Sequence, residues 1–143
     1  MKTFRLLVVI IGGFLFAGCA TTPVDSQARA LCVQTFGTDA YFKAIWLSGS
    51  HTEAFASSFL GDTGPQLQIA GAMKAGEKKR VDLVVWSESN VGVTDAIDRA
   101  LRYIPETERL TNLNFLFVGD TSIADYLRPE IEATGAKFYF HQR

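Results

Sequence analysis

The sequence predicts an α/β domain, a three-layer sandwich of about four mostly parallel strands with helices on both faces. Three observations carry this expectation. Residues 81–86, VDLVVW, form a short apolar run rich in β-branched side chains and followed at once by the polar Ser87-Glu88-Ser89-Asn90. A run without an alternating polar face suits a strand covered on both sides. The next segment changes period: Val93, Ala96, Ile97, Ala100, Leu101 and Ile104 recur at helical spacing, with Asp95, Asp98, Arg99 and Arg102 on the opposite side, so one apolar stripe must lie on the sheet. Strand-like and helix-like segments then alternate through most of the chain, and that alternation implies parallel pairing through right-handed crossovers.

In chain order, residues 26–36 read as an amphipathic helix with Ala28, Leu31, Cys32 and Phe36 on one face, and Gly37-Thr38 supplies a turn. Residues 41–47 read as a strand. After Ser48-Gly49-Ser50, residues 51–60 read as a helix, with Ser50 and Glu53 at capping-box spacing and Gly61 as its stop. Residues 65–75 read as a further helix, with proline at its first position and Gly76 just past its end. A strand at 67–73, in a hairpin with 81–86, is the alternative. The helix is preferred because both terminal signals agree and Gly71 weakens a strand.

Beyond the polar connection 105–111, residues 113–118 read as an apolar strand ending in Gly119-Asp120. Thr121 and Ser122 open another helix, with Ser122 and Asp125 at capping-box spacing and Ile123, Ala124, Leu127 and Ile131 on one face. Pro129 removes a backbone donor and is expected to kink or split that helix, which Gly135 ends. Residues 137–141 form the last strand, with Phe138 and Phe140 on one side and Tyr139 and His141 on the other. The outline resembles flavodoxin-like and Rossmann-like sheets, but the dinucleotide fingerprint is missing, since Gly92 stands alone after its strand, and no phosphate-loop pattern occurs. Fold-level likeness carries no function.

The first residues read as an export signal. Lys2 and Arg5 precede the apolar stretch 6–16, and the small residues Ala17 and Gly18 follow. That stretch falls short of the roughly 20 residues a spanning helix needs. Phe16-Ala17-Gly18-Cys19 resembles the lipobox of bacterial lipoprotein precursors, with Phe16 where the family usually has leucine. The resemblance covers only this end of the chain. It implies cleavage before Cys19 and lipidation of its thiol as a diacylglyceryl cysteine with a further palmitate-type chain. Alanine at position 20 implies sorting to the outer membrane of a Gram-negative cell, on its periplasmic face. Three acyl chains exceed the two signals needed for stable anchoring. Residues 19–25 would then be the lipidated cysteine and a short tether of at most about 20 Å, and residues 26–143 a single domain.

Removing the first 18 of 143 residues leaves 125, enough for one sizeable core. Losing Lys2 and Arg5 takes the basic count from 14 to 12 against 15 acidic residues, a net charge of −3, so nothing marks a nucleic-acid partner. The cluster Lys78-Lys79-Arg80 reads as a solvated strand entrance. A lipidated Cys19 leaves Cys32 without a disulfide partner, and its place on the apolar helix face reads as buried packing. Two histidines and no paired cysteines provide no zinc spacing, and no cofactor motif is present.

If the domain has a site, open α/β sheets place it outside the carboxyl ends of the strands, where strand order reverses. Three polar loops would converge there. Ser50 or Ser87 as nucleophile, His51 as base, and Asp120 or Glu88 as orienter are the residue types of a hydrolytic relay; Ser87, Glu88, Asn90 and Thr121 are ligand-binding candidates. Helix capping accounts for the same residue types, and the G-x-S-x-G elbow is absent. The expected function is therefore a non-catalytic envelope lipoprotein, bound to the membrane through lipid and docking a protein partner. Such docking needs an exposed apolar patch, expected around Trp46 and Tyr139. The alternative is a small periplasmic enzyme or ligand-binding protein using the three-loop rim.

Overall fold

The computed structural model describes residues 23–48 and 64–143. The export signal, Cys19, Ser50, His51 and the helix expected at 51–60 lie outside the described residues. Within them the order is α1 (Pro23–Phe36), β1 (Phe42–Leu47), α2 (Pro65–Ala75), β2 (Val81–Ser87), α3 (Val93–Leu101), β3 (Leu113–Gly119), α4 (Thr121–Ala133) and β4 (Lys137–Gln142). The four strands form one parallel sheet in the order β1-β2-β3-β4.

Each strand pairs with its sequence neighbour, so the crossovers always step in one direction. Crossovers of one hand then place their helices on a single face, and α2, α3 and α4 do share one. There Ile69 and Met73 of α2, Ile97 and Ala100 of α3, and Leu127 and Ile131 of α4 bury Leu83, Val85, Phe115 and Phe117. Phe115 stacks on Phe138 at 6.0 Å and Phe117 on Phe140 at 6.3 Å, which ties β4 to β3 through ring contacts. The other face carries α1. Ala28 and Cys32 cover Val84, Leu116 and Val118, with Phe36, Phe42, Trp86 and Tyr139 at the margin. The architecture is thus three-layer α/β. It differs from the sequence expectation in one respect that matters for function: the described sheet never reverses its strand order, so no switch-point crevice forms among these strands.

The direction of α1 follows from its connection. Only the short turn 37–41 joins it to β1, so its carboxyl end must lie at the amino ends of the strands. With 14 residues it is about 21 Å long, close to the roughly 20 Å of a six-residue strand. Its first turn therefore stands level with the carboxyl ends.

Local chemistry explains most boundaries. Pro65 begins α2. At the other end of α2, a Cβ on Gly76 would stand 2.6 Å from Leu113 Cβ, so helix end and β3 approach closely only through glycine. Gly135, with φ +91°, turns the chain out of α4. Three readings need correction. First, α1 begins at Pro23, three residues before the expected start, which leaves only Ala20-Thr21-Thr22 between Cys19 and the helix. Second, Pro129 does not split α4, which runs unbroken through it. Pro129 and Asp125, whose carbonyl loses the donor, are both exposed, so water can take its place. Third, the capping box of Ser122 and Asp125 is not used. Asp120 is the N-cap, and no side chain caps α4.

Candidate functional site

Register brings the ends of the strands to one edge. Leu47 pairs with Ser87, Trp86 with Val118, and Gly119 with Gln142. The described polar segments that follow β2 and β3 are therefore neighbours, and hydrogen bonds lace them to each other and to the ends of β1 and β4. Leu47 O accepts from Glu88 N at 3.3 Å. Ser87 O accepts from Arg143 Nη1 at 2.7 Å, while Arg143 N donates to Gly119 O at 3.0 Å. Asn90 Nδ2 donates to Asp120 Oδ2 at 3.0 Å and bridges the β2–α3 and β3–α4 loops.

This lacing decides what the candidate residues can do. Ser87 is buried, and its hydroxyl donates to Ser89 O. Ser89 Oγ in turn accepts from Val91 N at 3.1 Å. A nucleophilic serine needs an accessible hydroxyl donating to a base; a backbone carbonyl is not one. Asp120 holds the Asn90 amide. Glu88, Asn90, Asp120 and Thr121 are exposed, and His141, at the end of β4, is the only histidine among the described residues. The rim therefore gathers Ser87, Glu88, Asn90, Asp120 and Thr121, while Ser50 and His51 lie outside the described residues. Among the described residues, side-chain capping does not account for the polar loops before α3 and α4 either. Helices α2 and α3 have Gly64 and Gly92 as N-caps, α4 has Asp120, and none of the three is capped by a side-chain hydrogen bond. Ser87, Ser89, Asn90 and Asp120 are used by hydrogen bonds within and between the loops. No group of three or more His, Cys, Asp or Glu among the described residues can hold a metal ion.

On the α1 face, the last row of this edge is Trp46, Trp86, Val118 and His141. Trp46 is 49% exposed, Trp86 is half-buried and Val118 is fully buried. One row in from this, Tyr139 is half-buried, with its ring edge-on to Phe36 at 5.0 Å. Exposed tryptophans are enriched among the residues that dominate protein interfaces.

Sequence reasoning missed the polar group at the opposite edge. Asp82 lies inside the apolar run yet is fully buried. Its Oδ1 accepts from Arg80 Nε at 3.1 Å and from Asn114 Nδ2 at 2.7 Å, and its Oδ2 from Arg80 Nη2 at 3.1 Å. Arg80, although exposed as expected, is also an ion-pair partner; its guanidinium lies over the Tyr41 ring at 4.9 Å as well. The available signal was the spacing Arg80-x-Asp82, which puts both side chains on one face of an extended chain. Cys32 is buried as expected. Burial first, then Asp82 and Asp39, pushes its thiol up to about 11, so at neutral pH it is an unreactive thiol donating to Thr38 O at 3.4 Å.

No protein-family model, no curated protein and no solved structure matches this chain.

Proposed function

We propose that this chain is a lipid-anchored envelope lipoprotein that docks a protein partner at the membrane surface and catalyses no reaction itself. The observation that carries the reading is the exposed indole of Trp46 beside Trp86 at the carboxyl edge of the sheet. The same edge offers a rim whose serine is buried and committed to the backbone. The first turn of α1 stands level with this edge, and only Ala20-Thr21-Thr22 separates it from Cys19. Three residues span at most about 11 Å, which favours a partner held at the bilayer over one reached on a long leash. The lipobox-like run and Ala20 support attachment to the outer membrane on its periplasmic face. No helix among the described residues is long and apolar enough to cross a membrane, so attachment is assigned to the lipid on Cys19.

The test has two arms. Cys19→Ser is expected to abolish palmitate incorporation in growing cells; unchanged labelling removes the lipoprotein reading. A photo-crosslinking side chain at position 46 is expected to trap one discrete protein band, while the same group at the exposed Lys74 on the opposite face traps none. Adducts with lipid alone at position 46 would refute protein docking and leave lipidation standing.

A further inference from the structure

The amino edge of the sheet holds a second feature, built entirely from described residues. A cleft of about 410 Å³ opens there between the last turn of α1 and the starts of β3 and β4, and its walls include Thr35, Phe36, Arg80, Asn114, Lys137 and Tyr139. That volume lies in the range of small-molecule sites. Asp82, Asn114 and Lys137 are register partners across β2, β3 and β4, so Arg80, just before β2, and Asn114 and Lys137, at the starts of β3 and β4, line the cleft together.

The position of the Arg80 head decides which chemistry fits. A guanidinium presents its five N–H groups as a fixed fork. The edge made by Nε and Nη2 is taken by Asp82, and one ring face lies over Tyr41. The remaining edge, Nη1 with the second Nη2 hydrogen, points away from Asp82, and the side chain is 41% exposed. It offers two parallel donors already held in place, the geometry that a planar carboxylate accepts bidentately. Asp82 cannot turn to meet a ligand, because both its oxygens are engaged and it is fully buried. Its role is to position Arg80. The charges agree in sign. Arg80 and Lys137 against Asp82 leave one positive charge, and the roughly half negative charge at the carboxyl end of α1 reduces it without reversing it. The apolar wall of Phe36 and Tyr139 would receive the body of the ligand.

We infer that this cleft binds a small organic monocarboxylate, with its carboxylate on the free Arg80 fork and Lys137 and with an apolar body against Phe36 and Tyr139. The inference goes beyond partner docking and is independent of Cys19 lipidation. The probe is benzoate, titrated against the full chain in detergent while the Asn114 side-chain amide is followed by NMR; inorganic phosphate and benzylamine are the comparison probes. Saturable benzoate shifts of the Asn114 amide are expected. Binding should weaken at least tenfold in Lys137→Glu, whose exposed position leaves the melt unchanged, and several-fold in Arg80→Lys, which keeps the charge and removes the fork. Benzylamine should not bind. Absence of saturable benzoate binding, equal binding by Lys137→Glu, or phosphate binding as tightly as benzoate each overturns the assignment.

Discussion

Asp82 and Val84 lie two residues apart on the same face of β2, and a carboxylate is tolerated at one and not at the other. Asp82 has three donor contacts from Arg80 and Asn114. Removing Arg80 altogether would leave a buried charge without its counter-ion, a change that costs roughly 3–5 kcal/mol in comparable pairs, which is why a charge-preserving variant is the useful probe there. Cys32 makes a different residue-scale prediction. Its thiol titrates at about 11 in the folded state against 9.0 in the reference state. The folded protein therefore favours the neutral thiol. The associated stability is fully present below pH 9 and is lost as pH rises from 9 through 11, on the order of 2–3 kcal/mol. Chemical denaturation at pH 8 and pH 11 should show a loss in the wild type that is smaller by about that amount in Cys32→Ala. Parallel losses in the two proteins would refute the assignment to Cys32. Asp39 is held below its ordinary range chiefly by its hydrogen bond from Arg29, but both side chains are about half exposed, so that pair adds little.

At the scale of elements, β2 carries the architecture. It pairs with β1 on one side and β3 on the other, and all its residues except Trp86 are buried. Val84 packs with Ala28, Cys32 and Leu116, none of which offers a charged donor. Val84→Asp should therefore cost several kcal/mol, comparable with the whole stability of a small domain. The expected outcome is loss of soluble, cooperatively melting protein; an unchanged melting temperature would show that β2 is not central. Helix α4 teaches the converse. A proline inside a helix need not end it where the freed carbonyl is open to solvent, and Asp125 and Pro129 are both exposed.

At the scale of the molecule, the two sheet faces are covered unequally. Among the described residues, three helices cover one face and α1 covers Val84, Leu116 and Val118 on the other. Each of these aliphatic side chains contributes about 1.5–3 kcal/mol on burial, so three of them approach the net stability of a domain this size. A chain lacking residues 1–36 should consequently bind a hydrophobic dye, elute as aggregate and show no cooperative melt. A monomer with an intact melt would mean that α1 is dispensable and that Cys32 does not share the core.

The sequence by itself determined the periods: a continuous apolar run for β2, helical stripes for α3 and α4, and alternation for β4. These are local consequences of backbone geometry and demand burial whatever the neighbours are. It also placed Ser87, Glu88, Asn90, Asp120 and Thr121 at one edge, because strand ends follow from strand limits. Tertiary structure decided the rest. Strand order depends on which edges pair, and an unreversed β1-β2-β3-β4 order leaves no switch-point crevice among the described strands. The Ser122 and Asp125 capping signal failed because α4 begins at Thr121, which puts Ser122 inside the helix and makes Asp120 the N-cap. Asp82 went unremarked in an apolar strand because the groups that satisfy it come from outside the run, one of them 32 residues away on β3. A buried carboxylate is settled by its donors, and folding alone brings Asn114 to 2.7 Å from Asp82 while Arg80 closes on it at 3.1 Å and keeps its other edge free.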